Sequence, residues 1–433
     1  MKNLIIEITS RCNLSCTMCL RQTWSEKTGD MDMETFKGLT PVFETLDSIN
    51  LSGYGEPFLN PYLIDMILLA KKHVSPFCRI NLTTNGMVVD RSTTEDVIKA
   101  GLDGISFSID SFVSDKFTAL RQGGSLEVVI ECLENFLAVR KKLKKESFEI
   151  SISFVAMERN IRELPRLIQF ATDHQVNSIW VNNLLPPNEL IAKEILYDSH
   201  SQEVLENLTR AKERLQAIGV NPSIFRLLAV KLSTNVFRVA VSNLSPEEKL
   251  ALQCLQEVSS EEDFMGGILS KMLQVLERDG TKFYNYMKIF EECQKLAASR
   301  ELALHLPLII PRAKRECNFI KNQACFITWD GWVRPCNQLS HEYSCFHYGR
   351  PKRVKSISFG KVPEEDLEAI WNSQPYQTFR RNVEEFRFSP CGDCGLSDGC
   401  GYIAGGAHFI FDCNVYEQPC GDCLWSRGIL QCP

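Results

Sequence analysis

The sequence predicts an α/β protein: a partial (β/α)6 TIM-like barrel at residues 1–189, a helical insertion at 190–300 and a small Cys-rich α+β domain at 301–433. Three observations predict it. Short β-rich runs alternate six times with amphipathic segments in the first part. The middle part has helical periodicity and dense charge, with no strand pattern. Eleven of the 18 cysteines fall in the last 117 residues.

The runs, in order, are "LIIEIT" (4–9), "DSINLS" (47–52), "CRINLT" (78–83), "GISFSI" (104–109), "FEISISF" (148–154) and "NSIWVN" (177–182). Between them lie stretches such as "METFKGLTPVFETL", "LIDMILLAKKH", "LEVVIECLENFLAVRKKLKK" and "IRELPRLIQFATDH", apolar on one helical face. Each helix returns the chain to the same end of the sheet, so the strands pair in parallel. Six units are too few to close an eight-stranded barrel, and the functional site is expected at the C-terminal strand ends. The polar, Gly-rich motifs fall there: "TSRCNLSCTMC" after the first strand, "GYGEP" after the second, "TTNG" after the third and "SIDS" at the fourth. "VLENLTRAKERLQAIG" (204–219), "SPEEKLALQCLQEV" (245–258) and "GGILSKMLQVLERDG" (266–280) read as helices of an insertion packed on the barrel.

With 433 residues, 44% of them hydrophobic and 24% charged, the chain has the make-up of a globular protein of two or three domains. A net charge of −6, mixed along the chain, predicts neither a nucleic-acid nor a membrane partner. The N-terminal stretch is too short and polar for a signal peptide, and no apolar run reaches membrane-spanning length. A cytoplasmic location is expected, where 18 cysteines cannot serve as a disulfide framework.

Cys12, Cys16 and Cys19 form C-x3-C-x2-C on the loop leaving the first strand. Three thiolates can hold three irons of a [4Fe–4S] cluster and leave the fourth open. This triplet, followed by the G-x-G-E-P and T-N-G turns, resembles the radical SAM enzymes over about the first 185 residues. The resemblance implies that S-adenosylmethionine chelates the open iron, and that an electron cleaves it to a 5′-deoxyadenosyl radical that takes hydrogen from substrate. It also implies cofactor-binding roles for Gly53, Tyr54, Gly55 and Glu56, with Glu56 receiving the methionine ammonium. Thr84, Asn85, Ser108 and Asp110 are expected near the ribose and methionine carboxylate, and Arg121 to pair with that carboxylate.

The C-terminal cysteines include Cys317-x13-Gly331-x4-Cys336 and Cys391-x2-Cys394-x5-Cys400. This pattern resembles the SPASM extension of radical SAM enzymes, which implies two auxiliary [4Fe–4S] clusters. The usual next cysteine is absent, because residue 404 is Ala, and Cys413 is the expected stand-in. The resemblance suggests Cys317, Cys325, Cys336 and Cys413 for one cluster. Cys391, Cys394 and Cys400, with one of Cys420, Cys423 or Cys432, would hold the other. Tetrahedral zinc is the competing occupant of such pairs. Cys345 is expected to be spare, and Cys78, Cys132, Cys254 and Cys293 to be buried apolar thiols.

"TWDGWVRPCNQLSH", "FRFSPC" and "CGDCLWSRGILQCP" resemble, more narrowly, radical SAM/SPASM maturases of tungsten-cofactor oxidoreductases. That implies a peptide, protein or cofactor substrate and an electron donor such as ferredoxin or flavodoxin. Because the barrel pattern starts at residue 4, no leader-recognition domain is expected ahead of it. Two alternatives stay open: radical oxidation or epimerisation of a small metabolite, and a non-enzymatic iron–sulfur electron-transfer or scaffold protein. No catalytic acid, base or radical-quenching residue is identified.

Overall fold

A computed structural model describes residues 1–198, isolated positions between 206 and 224, and residues 244–258, 280–312, 314–347, 350–389 and 419–431. Its organising element is one nine-stranded sheet. Six strands match the expected runs: β1 (Asn3–Ile6), β2 (Ser48–Asn50), β3 (Arg79–Thr84), β4 (Gly104–Ser108), β5 (Glu149–Ala156) and β6 (Ser178–Asn183). They pair in parallel, in chain order. Strand registers align Leu4 with Ile49, Ile49 with Ile80, and Ile105 with Ile150, all at most 2% exposed. Helices cover the outer face: α1 (Met33–Lys37), α2 (Leu63–His73), α3 (Arg91–Ala100), α4 (Ser114–Leu120), α5 (Leu126–Lys142) and α6 (Leu164–Asp173). Asp90 starts α3 by accepting from the Thr93 N–H (2.7 Å), and Gly101 ends it in a left-handed conformation that favours glycine.

Three strands extend this sheet beyond the six. On one side β7 (Ala303–His305) adds in parallel to β6. On the other, β8 (Ala324–Ile327) pairs in parallel with β1, and β9 (Val333–Arg334) with β8 antiparallel. The strand ladder therefore runs across the boundary expected near 301. Among the described residues no pairing joins β7 to β9, so the sheet is open, as a partial barrel requires. The remaining strands, β10 (Tyr343–His347) and β11 (Arg350–Val354), make a separate antiparallel hairpin.

β1 stops at Ile6, short of the Thr9 expected from its apolar run. The Ile8 carbonyl accepts from Met31 N (2.8 Å) and the Thr9 hydroxyl donates to Asp30 (2.6 Å), which draws the chain off the sheet and starts the cysteine loop. Of the insertion, helices Pro246–Val258 and Gly280–Ala298 are described. The first opens on a reciprocal Ser245–Glu248 cap. The second packs on α6 and β7 and buries Tyr286, Phe290 and Cys293. The helix expected over 266–280 lies, but for Gly280, outside the described residues; of that over 204–219, seven of the 16 residues do, and positions 206, 209, 210, 213, 214, 216 and 217 are helical. No described helix is long and apolar enough to cross a membrane.

Candidate functional site: a cysteine loop and a four-thiol group

Cys12, Cys16 and Cys19 are all partly exposed on the loop after β1. Ser15 N donates to the Gln122 carbonyl (3.0 Å) and Thr17 N to that of Leu120 (2.9 Å), tying the loop to the chain that follows α4. Three donors are aimed at its sulfurs. Leu14 N (3.5 Å) and Asn85 Nδ2 (3.7 Å) face Cys12 Sγ, and Arg121 Nη1 (3.9 Å) faces Cys16 Sγ. Burial pushes the Cys16 thiol up to about 11, against the pull of the Arg121 charge. A thiol held there keeps its proton unless a metal displaces it. A partly exposed triplet with N–H groups turned to its sulfurs fits a cluster bound by three cysteines.

The loops after β2, β3 and β4 meet behind this triplet. Gly53 and Gly55 are needed for backbone contact with the first loop. A Cβ at 53 would stand 2.3 Å from Glu7 Cγ, and one at 55 would stand 2.1 Å from the Thr9 carbonyl oxygen. Glu56, expected to receive the methionine ammonium, has internal partners. It is 2% exposed, and its carboxylate accepts from Thr84 Oγ1 (2.8 Å), Asn85 N (2.7 Å) and Phe58 N (3.3 Å). Burial raises it to about 7 even so. Arg121 is 9% exposed and its Nε donates to Asp110 (2.7 Å), a fully buried carboxylate that also accepts from Val155 N (2.7 Å). Through Nε Arg121 thus pairs with Asp110, and its Nη1 faces Cys16. Ser108, half-buried, ends β4 beside Ser153.

A second cluster of side chains lies where the first loops meet the C-terminal segment. Both nitrogens of His341 face carboxylates, Nε2 to Glu7 (2.8 Å) and Nδ1 to Glu26 (2.7 Å). Burial alone would lower its pKa, but the Glu7 charge and the two hydrogen bonds outweigh burial and raise it to about 9. Trp24 stacks on the imidazole (4.0 Å between centroids) and Tyr54 meets both rings edge-on. Tyr54 N donates to Glu7 (3.0 Å), and the Tyr54 hydroxyl reaches the Asn337 carbonyl (3.4 Å), next to Cys336. Glu7, Trp24, Glu26 and His341 had been missed. The one local signal is a glutamate interrupting the aliphatic run "LIIEIT".

Behind this cluster the structure gathers Cys317, Cys336, Cys420 and Cys423. Burial raises Cys336 and Cys420, and after burial the next causes are the charges of other thiols in this group. Cys423 is pushed up to about 11 by burial and then by Cys317. Cys420 and Cys423 flank the end of a tight 3-10 turn (Pro419–Asp422), with Cys423 N donating to the Cys420 carbonyl (3.4 Å). Cys325, expected in this group, is not in it. It sits in β8 at 0% exposure, its Sγ facing the Arg334 carbonyl (3.7 Å) and accepting from the Tyr376 hydroxyl (3.7 Å). A central strand buried on both faces leaves that thiol no direction but the core. Cys391, Cys394, Cys400, Cys413 and Cys432 lie outside the described residues. Cys78, Cys132, Cys254 and Cys293 are buried, as expected of apolar thiols, and so is Cys345.

Among the described residues no three His, Cys, Asp or Glu side chains converge on one metal ion. Tetrahedral zinc needs its thiolates all about 2.3 Å from a single centre. A four-iron cluster takes each thiolate on a different iron.

The class of protein follows from this arrangement and from its relatives. The family model of the radical SAM superfamily matches residues 6–171, and that of SPASM, an iron–sulfur cluster-binding domain, matches residues 317–395. The chain is a radical SAM enzyme with a SPASM domain. Along its whole length it is 27% identical to the tungsten-containing aldehyde ferredoxin oxidoreductase cofactor-modifying protein of Pyrococcus furiosus, over 97% of that protein. It is 28% identical to the GTP 3′,8-cyclase of Chlorobaculum tepidum over 40% of this chain and 50% of that enzyme. Among solved structures, that of Streptococcus suis SuiB bound to S-adenosylmethionine superposes on 96% of this chain and 75% of that one (TM-score 0.51, 14% identity), a likeness of fold.

Proposed function

We propose that this chain is a maturase that modifies the cofactor, or a peptide segment, of a tungsten-containing oxidoreductase. The observation that carries this reading is the similarity to the P. furiosus cofactor-modifying protein, which spans barrel, insertion and tail together. The likeness to GTP 3′,8-cyclase covers 40% of this chain and half of that enzyme, so it supports shared chemistry and not a shared substrate.

In this reading Cys12, Cys16 and Cys19 hold a [4Fe–4S] cluster with S-adenosylmethionine on its open iron, which together supply a 5′-deoxyadenosyl radical for hydrogen abstraction. Asn85 and Arg121 direct N–H groups at the sulfurs of Cys12 and Cys16. Asp110 holds Arg121 in that orientation. Gly53 and Gly55 let the second loop lie on the first, and Glu56 ties the second loop to the third. Cys317, Cys336, Cys420 and Cys423 hold one auxiliary cluster. A small reductase of the ferredoxin or flavodoxin type supplies electrons.

The test is anaerobic turnover with dithionite, S-adenosylmethionine and the cofactor-free oxidoreductase as substrate. The wild type is expected to form 5′-deoxyadenosine, faster when the oxidoreductase is present, and the variant with Cys12, Cys16 and Cys19 changed to Ala to form none. A rate unaffected by the oxidoreductase overturns the maturase reading and turns the search to small metabolites.

A further inference from the structure

We propose that Lys352 is a positioning residue for the auxiliary cluster: it holds Asp422 between two of the ligating thiols and cancels its charge. This rests on the reading of Cys317, Cys336, Cys420 and Cys423 as ligands.

The geometry begins in the β10–β11 hairpin. Cys345 faces Lys352 across the strands, and β10 buries Tyr343, Cys345 and His347 on one face. On β11 exposure alternates, so that Lys352 (5%) and Val354 (1%) turn inward while Pro351 and Arg353 turn out. A lysine therefore occupies a position that the pattern of a hairpin reserves for an apolar side chain. Its ammonium bonds the carboxylate of Asp422, which is 1% exposed. From the same buried face, His347 Nε2 donates to the Asp422 carbonyl (2.8 Å). One residue earlier, the guanidinium of Arg315 donates to the Gly421 carbonyl. Consecutive residues of the C-G-D-C turn are thus gripped by cationic or imidazole donors from two separate parts of the chain.

Burying an ion pair gives little net stability, and an apolar pair of similar volume does as well or better. What this pair does is local. Asp422 is adjacent in sequence to Cys423 and one residue from Cys420. A cluster on four thiolates is itself anionic, so an uncompensated carboxylate there would oppose both assembly and reduction.

The experiment compares the full-length anaerobic protein with three variants: Lys352→Met, Lys352→Met combined with Asp422→Asn, and Cys423→Ser. Iron and sulfide are counted per chain, and the auxiliary signal is followed by EPR during a redox titration. Cys423→Ser identifies that signal by losing about four irons. If it keeps wild-type iron and spectrum, the ligand reading fails, whatever Lys352 does. With the signal identified, Lys352→Met is expected to move its potential to more negative values or to lose those irons, and the double variant to restore them. A Lys352→Met protein with wild-type iron and potential overturns the proposal. So does a loss that the double variant fails to reverse, because that is a packing defect and not an uncancelled charge.

Discussion

Gly55 lies against Thr9 so closely that a single added methyl group would stand 2.1 Å from the Thr9 carbonyl oxygen and 2.7 Å from that of Arg11. Both obstacles are backbone, so no side chain can swing aside. Gly55→Ala should destabilise the fold by about 1–3 kcal/mol or push the cysteine loop out of place. Denaturation midpoints and iron content of the anaerobically prepared protein check this. A variant matching the wild type in both shows that the second loop does not set the first.

His341 between Glu7 and Glu26 makes stability depend on pH. Its pKa in the folded chain, about 9, lies above the ordinary histidine value. Its contribution is therefore complete below about pH 6.5 and is lost as pH rises through about 9, amounting to a few kcal/mol. Burial pushes the Glu26 carboxyl up, but its hydrogen bonds to His341 and the Glu342 N–H, with the His341 and Arg334 charges, together outweigh burial and hold it below the usual carboxylate range, so its share is lost only as acid protonates it. Denaturant midpoints at pH 6, 7.5 and 9 should show the gap between wild type and His341→Gln narrowing toward alkaline pH. A constant gap counts against the imidazolium.

Removing Arg121 strands Asp110, which is 0% exposed. Arg121→Met should cost about 3–5 kcal/mol, the usual effect of leaving a buried charge unpaired, and Asp110→Asn added to it should recover much of that. Equal destabilisation of the single and double variants would mean that the pair contributes packing alone.

Two cysteine substitutions separate the ligand sets. Cys325→Ala should leave iron content unchanged and lower stability by about 1 kcal/mol for the lost buried thiol. Cys336→Ala should remove about four irons. The reverse pattern restores Cys325 as a ligand.

Much of the barrel was legible because its signals are local. Each of the six runs has the β-rich composition of a half-buried or buried strand, and each polar motif follows within a few residues of its strand end. The triplet of cysteines is likewise a matter of nearest neighbours. The C-terminal thiol group is not: no spacing says that Cys420 and Cys423 fold back on Cys317 and Cys336 while Cys325, eight residues from Cys317, turns into the core. The fully apolar "ACFI" around Cys325 carried the better clue, since it reads as a strand interior. His341 and Glu7 lie 334 positions apart, and a lone histidine carries no mark of two distant carboxylates. The orientation of Glu56 depends on Asn85 and Thr84, which periodicity does not report.

The pairing of β1 with β8 bears on how the protein is made. Leu4 leaves the ribosome 321 residues ahead of its strand partner Cys325. Until then the nascent barrel carries an unpaired hydrogen-bonding edge along its first strand, beside the exposed cysteine loop, and open edges of this kind invite pairing with other chains. At synthesis rates of about 5–20 residues per second, that exposure lasts on the order of 15 seconds to a minute. The C-terminal segment that supplies β8 therefore also covers the edge of the first strand, and a prematurely terminated chain should be recovered mainly as aggregate.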